Sequence, residues 1–136
     1  MDNHEQKLFG LRYSTKAWRI GADDPFHEEL GYWMWDAASN LVIRCFMPPR
    51  GVTVLAGGTA EPDAREFSLE ATAGSETFGI CSSPFLIAEF KTVRYTVDVK
   101  FIDDDTFSYD SHVWLQMKGR AELFDHRDDN TLRRAD

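Results

Sequence analysis

The sequence predicts an all-β fold, an antiparallel up-and-down barrel of about eight to ten strands. Apolar and polar residues alternate with a period of two along most of the chain, and turn-forming segments separate the alternating runs. No window keeps an apolar stripe at helical spacing over several turns. Because a long meander must close or stack to cover its edges, we expect one barrel domain spanning residues 1–136.

The N-terminal half carries five predicted strands. Each is rich in β-branched or aromatic residues, and the segments GADDP, DAASN, PPRG and AEPDA provide the turns between them. The predicted strands span residues 8–20, 27–36, 40–47, 51–58 and 65–72.

The clearest alternation lies in KTVRYTVDVKF, where the odd-numbered residues from Val93 to Phe101 are apolar and the even-numbered ones polar. TFSYDSHVWLQM repeats the pattern, and IDDDT between the two runs is typical of a hairpin turn. A short helical turn is expected within residues 83–91. The last strand is expected to begin near Ala121 and to break in the segment HRDDN.

Composition and charge exclude several classes of function. The net charge of −8 and the absence of a Lys/Arg run argue against binding to a nucleic-acid backbone. Cys45 and Cys81 are too few for a disulfide framework, and we expect both to be reduced. The N-terminus lacks the pattern of a signal peptide, and no apolar stretch reaches the ~18 residues of a membrane span. We therefore expect a cytoplasmic protein without a membrane or nucleic-acid partner.

The stretch PFHEELGYWMWD is apolar on both faces, which is typical of a strand covered on both sides. One face carries Phe26, Leu30, Tyr32 and Met34, and the other carries His27, Glu29, Trp33 and Trp35. Two interpretations stay open. Trp33 and Trp35 belong to the core, or they line a ligand cavity together with His27.

PFHEELGYWMWD, FMPPRGVTVLAGGTA, GICSSPF and FDHRDDNTL together resemble the bacterial branch of the nitrobindin-like, fatty-acid-binding-protein-like β-barrel family. The family is similar to lipocalins in architecture. The resemblance implies a lumen that holds ferric haem b through one histidine near the C-terminus, reaction with nitric oxide species, and isomerisation of peroxynitrite to nitrate. The chain begins after the Gly-x-Trp-x-Gly-type strand of the family. The barrel is therefore expected to be open at its N-terminal edge, unless another segment or a second subunit covers that edge.

The resemblance makes His126 the candidate metal ligand. Haem-binding members end in His-x-x-x-x-Leu-Lys/Arg, whereas the spacing from His126 to Leu132 is one residue longer. A shift of one residue turns a side chain to the opposite face of a strand, unless a β-bulge restores it. The alternative is a solvated turn at residues 126–130.

His27 matches the family more closely, because Pro25-Phe26-His27 stands in the family's register to Gly31-Tyr32. The resemblance implies that His27 borders the cavity opposite the iron ligand, and the alternative is an exposed histidine at the start of a strand. His112 lies on the polar face of its strand and His4 lies near the N-terminus, so neither is a candidate.

Three further residues are candidates for lining the lumen. Met117 and Phe124 are apolar residues that are expected to line the lumen. Arg44 lies on the same face of its predicted strand as the apolar residues Val42 and Phe46. Arg44 is a candidate partner for a ligand carboxylate or a haem propionate, and the alternative is a surface arginine. A nucleophile elbow and metal-binding spacings such as Cys-x-x-Cys are absent from the sequence.

Three functions remain open. The leading hypothesis is a small-molecule-binding barrel that takes an apolar or planar ligand in its lumen. The second is a ferric haem protein that binds nitric oxide or isomerises peroxynitrite, with enzymatic activity dependent on haem. The third is an oligomeric scaffold without a ligand, a homodimer joined through the open strand edge near residues 8–20.

Overall fold

The computed structural model describes residues 7–136, so His4 lies outside the described part of the chain. Within that part, the chain forms nine strands and one short helix. Their bounds are β1 Phe9–Ala17, β2 His27–Asp36, β3 Leu41–Met47, β4 Val52–Thr59, β5 Glu66–Thr72, β6 Ile80–Ser82, α1 Pro84–Glu89, β7 Phe90–Asp103, β8 Thr106–Met117 and β9 Phe124–Arg133.

The strands form one antiparallel sheet that is curled into an open half-barrel. Their order is β1-β2-β3-β4-β5-β7-β8-β9, and the short β6 pairs with β4. Among the described residues, β1 and β9 each have a strand neighbour on one side only. The predicted all-β antiparallel meander is confirmed, and its barrel is open between β1 and β9.

The concave face is the side of the sheet that carries the buried apolar cluster, and the outer face is the opposite side. Cross-strand pairing aligns the apolar half of each alternating strand, so that Ala71 faces Tyr95 and Tyr95 faces Val113. Leu69 and Val97 are the largest fully buried side chains of this cluster. The complete buried cluster is Val54, Ala56, Leu69, Ala71, Ile80, Tyr95, Val97 and Val99.

The helix α1 confirms the helical turn expected within residues 83–91. Ser83 caps it, because its hydroxyl accepts a hydrogen bond from the Leu86 backbone N–H at 3.4 Å, and Pro84 fits the first turn. The preceding strand β6 was not predicted, because its three residues are too few to show a period. No helix in the part of the chain described is long and apolar enough to cross a membrane.

The expected break in the last strand is wrong. β9 runs without interruption through residues 126–130, and its ten paired residues match β8 without a register shift. Two charged side chains of its outer face have partners on β8. Arg127 Nη2 lies 2.9 Å from Asp110 Oδ2, and Asp125 Oδ1 lies 2.9 Å from His112 Nδ1. Charges that look like a solvated turn in isolation therefore form cross-strand pairs.

Candidate ligand-binding site on the concave face

The strand pairing brings all seven predicted site residues to the concave face. Leu11 faces Trp33, Trp33 faces Arg44, and Arg44 faces Ala56 of the buried cluster. Alternation along each strand then places the remaining candidates on the same side. The seven residues are His27, Trp33, Trp35, Arg44, Met117, Phe124 and His126.

Arg44 is the centre of a polar cluster, and its interpretation as a surface arginine is wrong. Its side chain is only 14% exposed. Its Nε donates to the Tyr13 hydroxyl at 3.1 Å, Nη1 donates to the Tyr95 hydroxyl at 2.6 Å, and Nη2 donates to Glu29 Oε2 at 3.0 Å. The guanidinium charge is therefore balanced inside the protein by the carboxylate of Glu29.

Glu29 also connects this cluster to His27. Its Oε2 accepts a hydrogen bond from the Tyr13 hydroxyl at 2.5 Å, and its Oε1 lies 2.9 Å from His27 Nε2. Because an ionised carboxylate can only accept, the proton of this bond lies on His27 Nε2. The His27 side chain is 36% exposed, so it borders the concave face rather than standing free in solvent.

Burial sets the protonation states of the cluster. It raises the pKa of Tyr95 to about 12 and raises the pKa of Tyr13 further, because a phenolate loses more hydration than a phenol. Burial alone lowers the pKa of Arg44, but Tyr95, Tyr13 and Glu29 outweigh it and the net pKa is raised. Around neutral pH the phenols are therefore neutral and Arg44 is charged.

Aromatic rings surround the Arg44 guanidinium. Its Cζ lies 5.1 Å from the ring centre of Tyr13, 4.9 Å from that of Trp33 and 4.8 Å from that of Phe46. Trp33 also packs edge-on against Phe67 at 6.2 Å, next to the buried cluster. In this half of the concave face, aromatic rings therefore pack around the guanidinium of Arg44, whose charge is balanced by Glu29.

Sequence reasoning missed the partners of Arg44. Tyr13, Glu29 and Tyr95 were not singled out, although each shares parity with apolar neighbours in its strand. A charged residue on the apolar face of a strand needs a partner of the opposite charge. Glu29 and Arg44 both lie on such faces and have opposite charges, so the sequence could have indicated that they pair.

The other half of the concave face carries His126. It faces Val113, which packs against the buried cluster, so its imidazole lies on the concave side of β9. His126 is exposed, and among the described residues it makes no hydrogen bond or ion pair. The ring of Phe124 is its aromatic neighbour, with centroids 6.4 Å apart and an interplanar angle of 26°. The expected outward rotation of His126 is therefore wrong, and no bulge in β9 is needed.

Comparison with known proteins identifies the family. A model of the THAP4-like, heme-binding beta-barrel domain matches residues 2–134. The chain belongs to this family. The fold is also similar to that in the crystal structure of Rv2717c from M. tuberculosis, with a TM-score of 0.68 and 20% identity over 93% of this chain and 73% of the other. No curated protein sequence matches the chain.

The residues of the concave face fit the group that the family's name implies. A haem needs an apolar surface and an imidazole nitrogen that is not already engaged, and His126 beside Phe124 and Val113 meets both conditions. His27 is less suited to the opposite side, because its Nε2 is held by Glu29. The role of Arg44 as a propionate partner stays a prediction, and Glu29 competes with it for the guanidinium.

The concave face is open along β9 rather than sealed as a lumen. Two shallow grooves lie on the outer face, with volumes of about 960 Å³ and 500 Å³. Polar residues such as Ser68 and Asp98 line both of them, and none of the seven predicted residues does. The outer grooves are therefore polar and separate from the candidate site on the concave face.

Proposed function

We propose that the protein binds a planar apolar ligand against the concave face, and that this ligand is ferric haem b. The observation that carries the proposal is the register of β9, which puts the imidazole of His126, without a hydrogen-bond partner among residues 7–136, on the same side of the sheet as Val113 and Tyr95. The heme-binding family supports the same ligand.

The residues have separate roles in this proposal. His126 would hold the iron through a ring nitrogen, while Phe124 and Val113 would give apolar contact to the ring. The Arg44–Glu29 pair fixes β2 against β3 and keeps the floor of the site electrically neutral. Bound haem would supply an iron site for small molecules such as nitric oxide. The reactions with nitric oxide and peroxynitrite stay predictions that depend on this loading.

The test is a titration of the purified protein with haemin, followed by visible absorption. We expect a saturable change of the Soret band at one equivalent, and its loss in the variant His126→Ala. His112→Ala is the matched control, because His112 lies next to Val113 on β8 but on the outer face, against Asp125. A titration that His126→Ala and His112→Ala leave equally unchanged would contradict the proposal and favour another apolar ligand.

The dimer expected near residues 8–20 has its own structural basis. β1 has one unpaired edge among the described residues, and its Phe9 and Leu11 are 68% and 72% exposed. Under this second proposal two copies join along β1. Sedimentation velocity with Leu11→Lys tests it, because a β1 dimer should become monomeric, while an unchanged sedimentation coefficient contradicts the dimer.

A further inference from the structure

We propose that the carboxylate of Asp128 makes the concave face select ferric over ferrous haem. This inference rests on the proposed function, because it concerns the charge that lies beside His126 when a haem is bound there. His126 and Asp128 are two residues apart in the unbroken strand β9, so both side chains point to the concave side. A candidate iron ligand and a carboxylate therefore share one face of the same strand.

Asp128 gives the concave face a negative charge that no cation balances among residues 7–136. Apart from the two histidines, the strands described carry three charged side chains on this face, namely Glu29, Arg44 and Asp128. Glu29 and Arg44 neutralise each other, with their charged atoms 3.0 Å apart. Asp128 forms no ion pair within the described part of the chain. The half of the concave face that carries His126 is therefore left with one excess negative charge.

Two residues of β8 hold Asp128 in this position. The Tyr109 hydroxyl donates to Asp128 Oδ2 at 3.0 Å, and the Ser111 hydroxyl donates to the Asp128 backbone carbonyl oxygen at 3.2 Å. Burial, the hydrogen bond to Asp128 and the charge of Asp128 together raise the pKa of Tyr109 to about 12. The phenol therefore stays a neutral donor around neutral pH, and it keeps the carboxylate on the concave side of β9.

The spacing along β9 allows the charge of Asp128 to act at His126. Alternate residues of a strand lie about 7 Å apart, which is shorter than the Debye length of about 8 Å at physiological ionic strength. Both residues are exposed without a ligand. A planar ring against this face would displace water from the space around them, and charges interact more strongly where water is displaced.

The oxidation state of the iron sets the charge that Asp128 would meet. The porphyrin nitrogens carry two negative charges, so ferric iron leaves one net positive charge at the centre of the ring and ferrous iron leaves none. The propionates are the same in both states. The carboxylate of Asp128 therefore attracts the ferric form and gains nothing from the ferrous form, which lowers the reduction potential of the bound haem.

The experiment is a spectroelectrochemical measurement of the midpoint potential of the haem-loaded protein and of its variant Asp128→Asn. This substitution keeps the shape of the side chain and an oxygen for the Tyr109 hydroxyl but removes the charge. We expect a more positive midpoint potential, equivalent to a loss of about threefold or more in the preference for ferric over ferrous haem. Asp129→Asn is the matched control, because Asp129 is the next residue of β9 but lies on the outer face, opposite Asp110. Asp129→Asn and the charge-preserving Asp128→Glu should both keep a potential close to that of the original protein.

Equal midpoint potentials for Asp128→Asn and Asp129→Asn would overturn this role of Asp128, although haem binding through His126 would stand. A shift of the same size in Asp128→Glu would also overturn it, because the cause would then be local packing rather than charge. Asp128→Ser is a second neutral variant and should shift the potential in the same direction as Asp128→Asn. If the original protein takes up no haemin, the proposed function fails and this inference fails with it, so the two failures are distinguishable.

Discussion

Glu29→Gln tests whether the Arg44 cluster is a true buried ion pair. The side chains of Glu29 and Arg44 are 11% and 14% exposed and their charged atoms lie 3.0 Å apart. The substitution preserves the shape of Glu29 but leaves the guanidinium buried without a counter-charge. Removal of one partner from a buried pair costs about 3–5 kcal/mol, and we expect the free energy of unfolding to fall by about 3 kcal/mol.

A double-mutant cycle separates this effect from simple loss of packing. Arg44→Met alone leaves Glu29 without its cation, whereas Glu29→Gln with Arg44→Met removes both charges and should cost less than the sum of the single changes. We expect a coupling free energy of about 2 kcal/mol between the two residues. Urea unfolding followed by circular dichroism measures each variant.

An exposed pair provides the control for the same substitution. Glu70 Oε2 lies 3.2 Å from Arg94 Nη2, but the two side chains are 64% and 51% exposed. Glu70→Gln should therefore change stability by less than about 1 kcal/mol. If Glu29→Gln costs no more than Glu70→Gln, or if the cycle is additive, the cluster does not stabilise the fold as a buried ion pair.

Two further predictions concern the same region. Stability should fall as the pH rises from about 10 to about 12, because tyrosines of the unfolded chain release a proton near pH 10.0 while the pKa of Tyr95 is about 12 in the fold, so the unfolded state binds fewer protons. Tyr95→Phe should flatten this fall in urea unfolding at several pH values, and an unchanged slope would argue against Tyr95 as the source. Gly31→Ala should lower the free energy of unfolding by about 2 kcal/mol, since its Cβ would overlap the Cys45 carbonyl oxygen and lie 2.8 Å from Phe46 Cβ. Gly10→Ala in β1 is the control, because its nearest neighbour would lie 3.8 Å away, and equal thermal midpoints for the two variants would contradict the close approach of β2 to β3.

The fold was predictable because its signal is local. A period of two is written in each strand, and the predicted strand at 27–36 has the same bounds as β2. The burial of Arg44 could not be predicted from the residues of its own strand. Its parity placed it among Val42 and Phe46, but its burial depends on Glu29, Tyr13 and Tyr95, which lie 15, 31 and 51 residues away in the chain. Only the pairing of distant strands shows that the charge is satisfied.

The unbroken strand β9 is a second feature that the residues of the segment itself do not predict. HRDDN contains three charged residues in succession, and no property of those five letters predicts a strand. Arg127 lies on the outer face against Asp110, whereas Asp128 Oδ2 on the concave face accepts a hydrogen bond from the Tyr109 hydroxyl at 3.0 Å. The polar character of β9 is complementary to β8, so the evidence for the strand lies in its neighbour.

The spacing argument about His126 was wrong for a related reason. With four residues between them, a histidine and a leucine in one strand face opposite sides, and with five they share a side. In β9, His126 faces Val113 and Leu132 faces Phe107, and both partners on β8 pack against the buried cluster. In this chain both His126 and Leu132 therefore lie on the concave face. Spacing within a strand gives only relative direction, whereas the partner strand fixes which side is concave, and this is why the register of β8 with β9 carries the haem proposal.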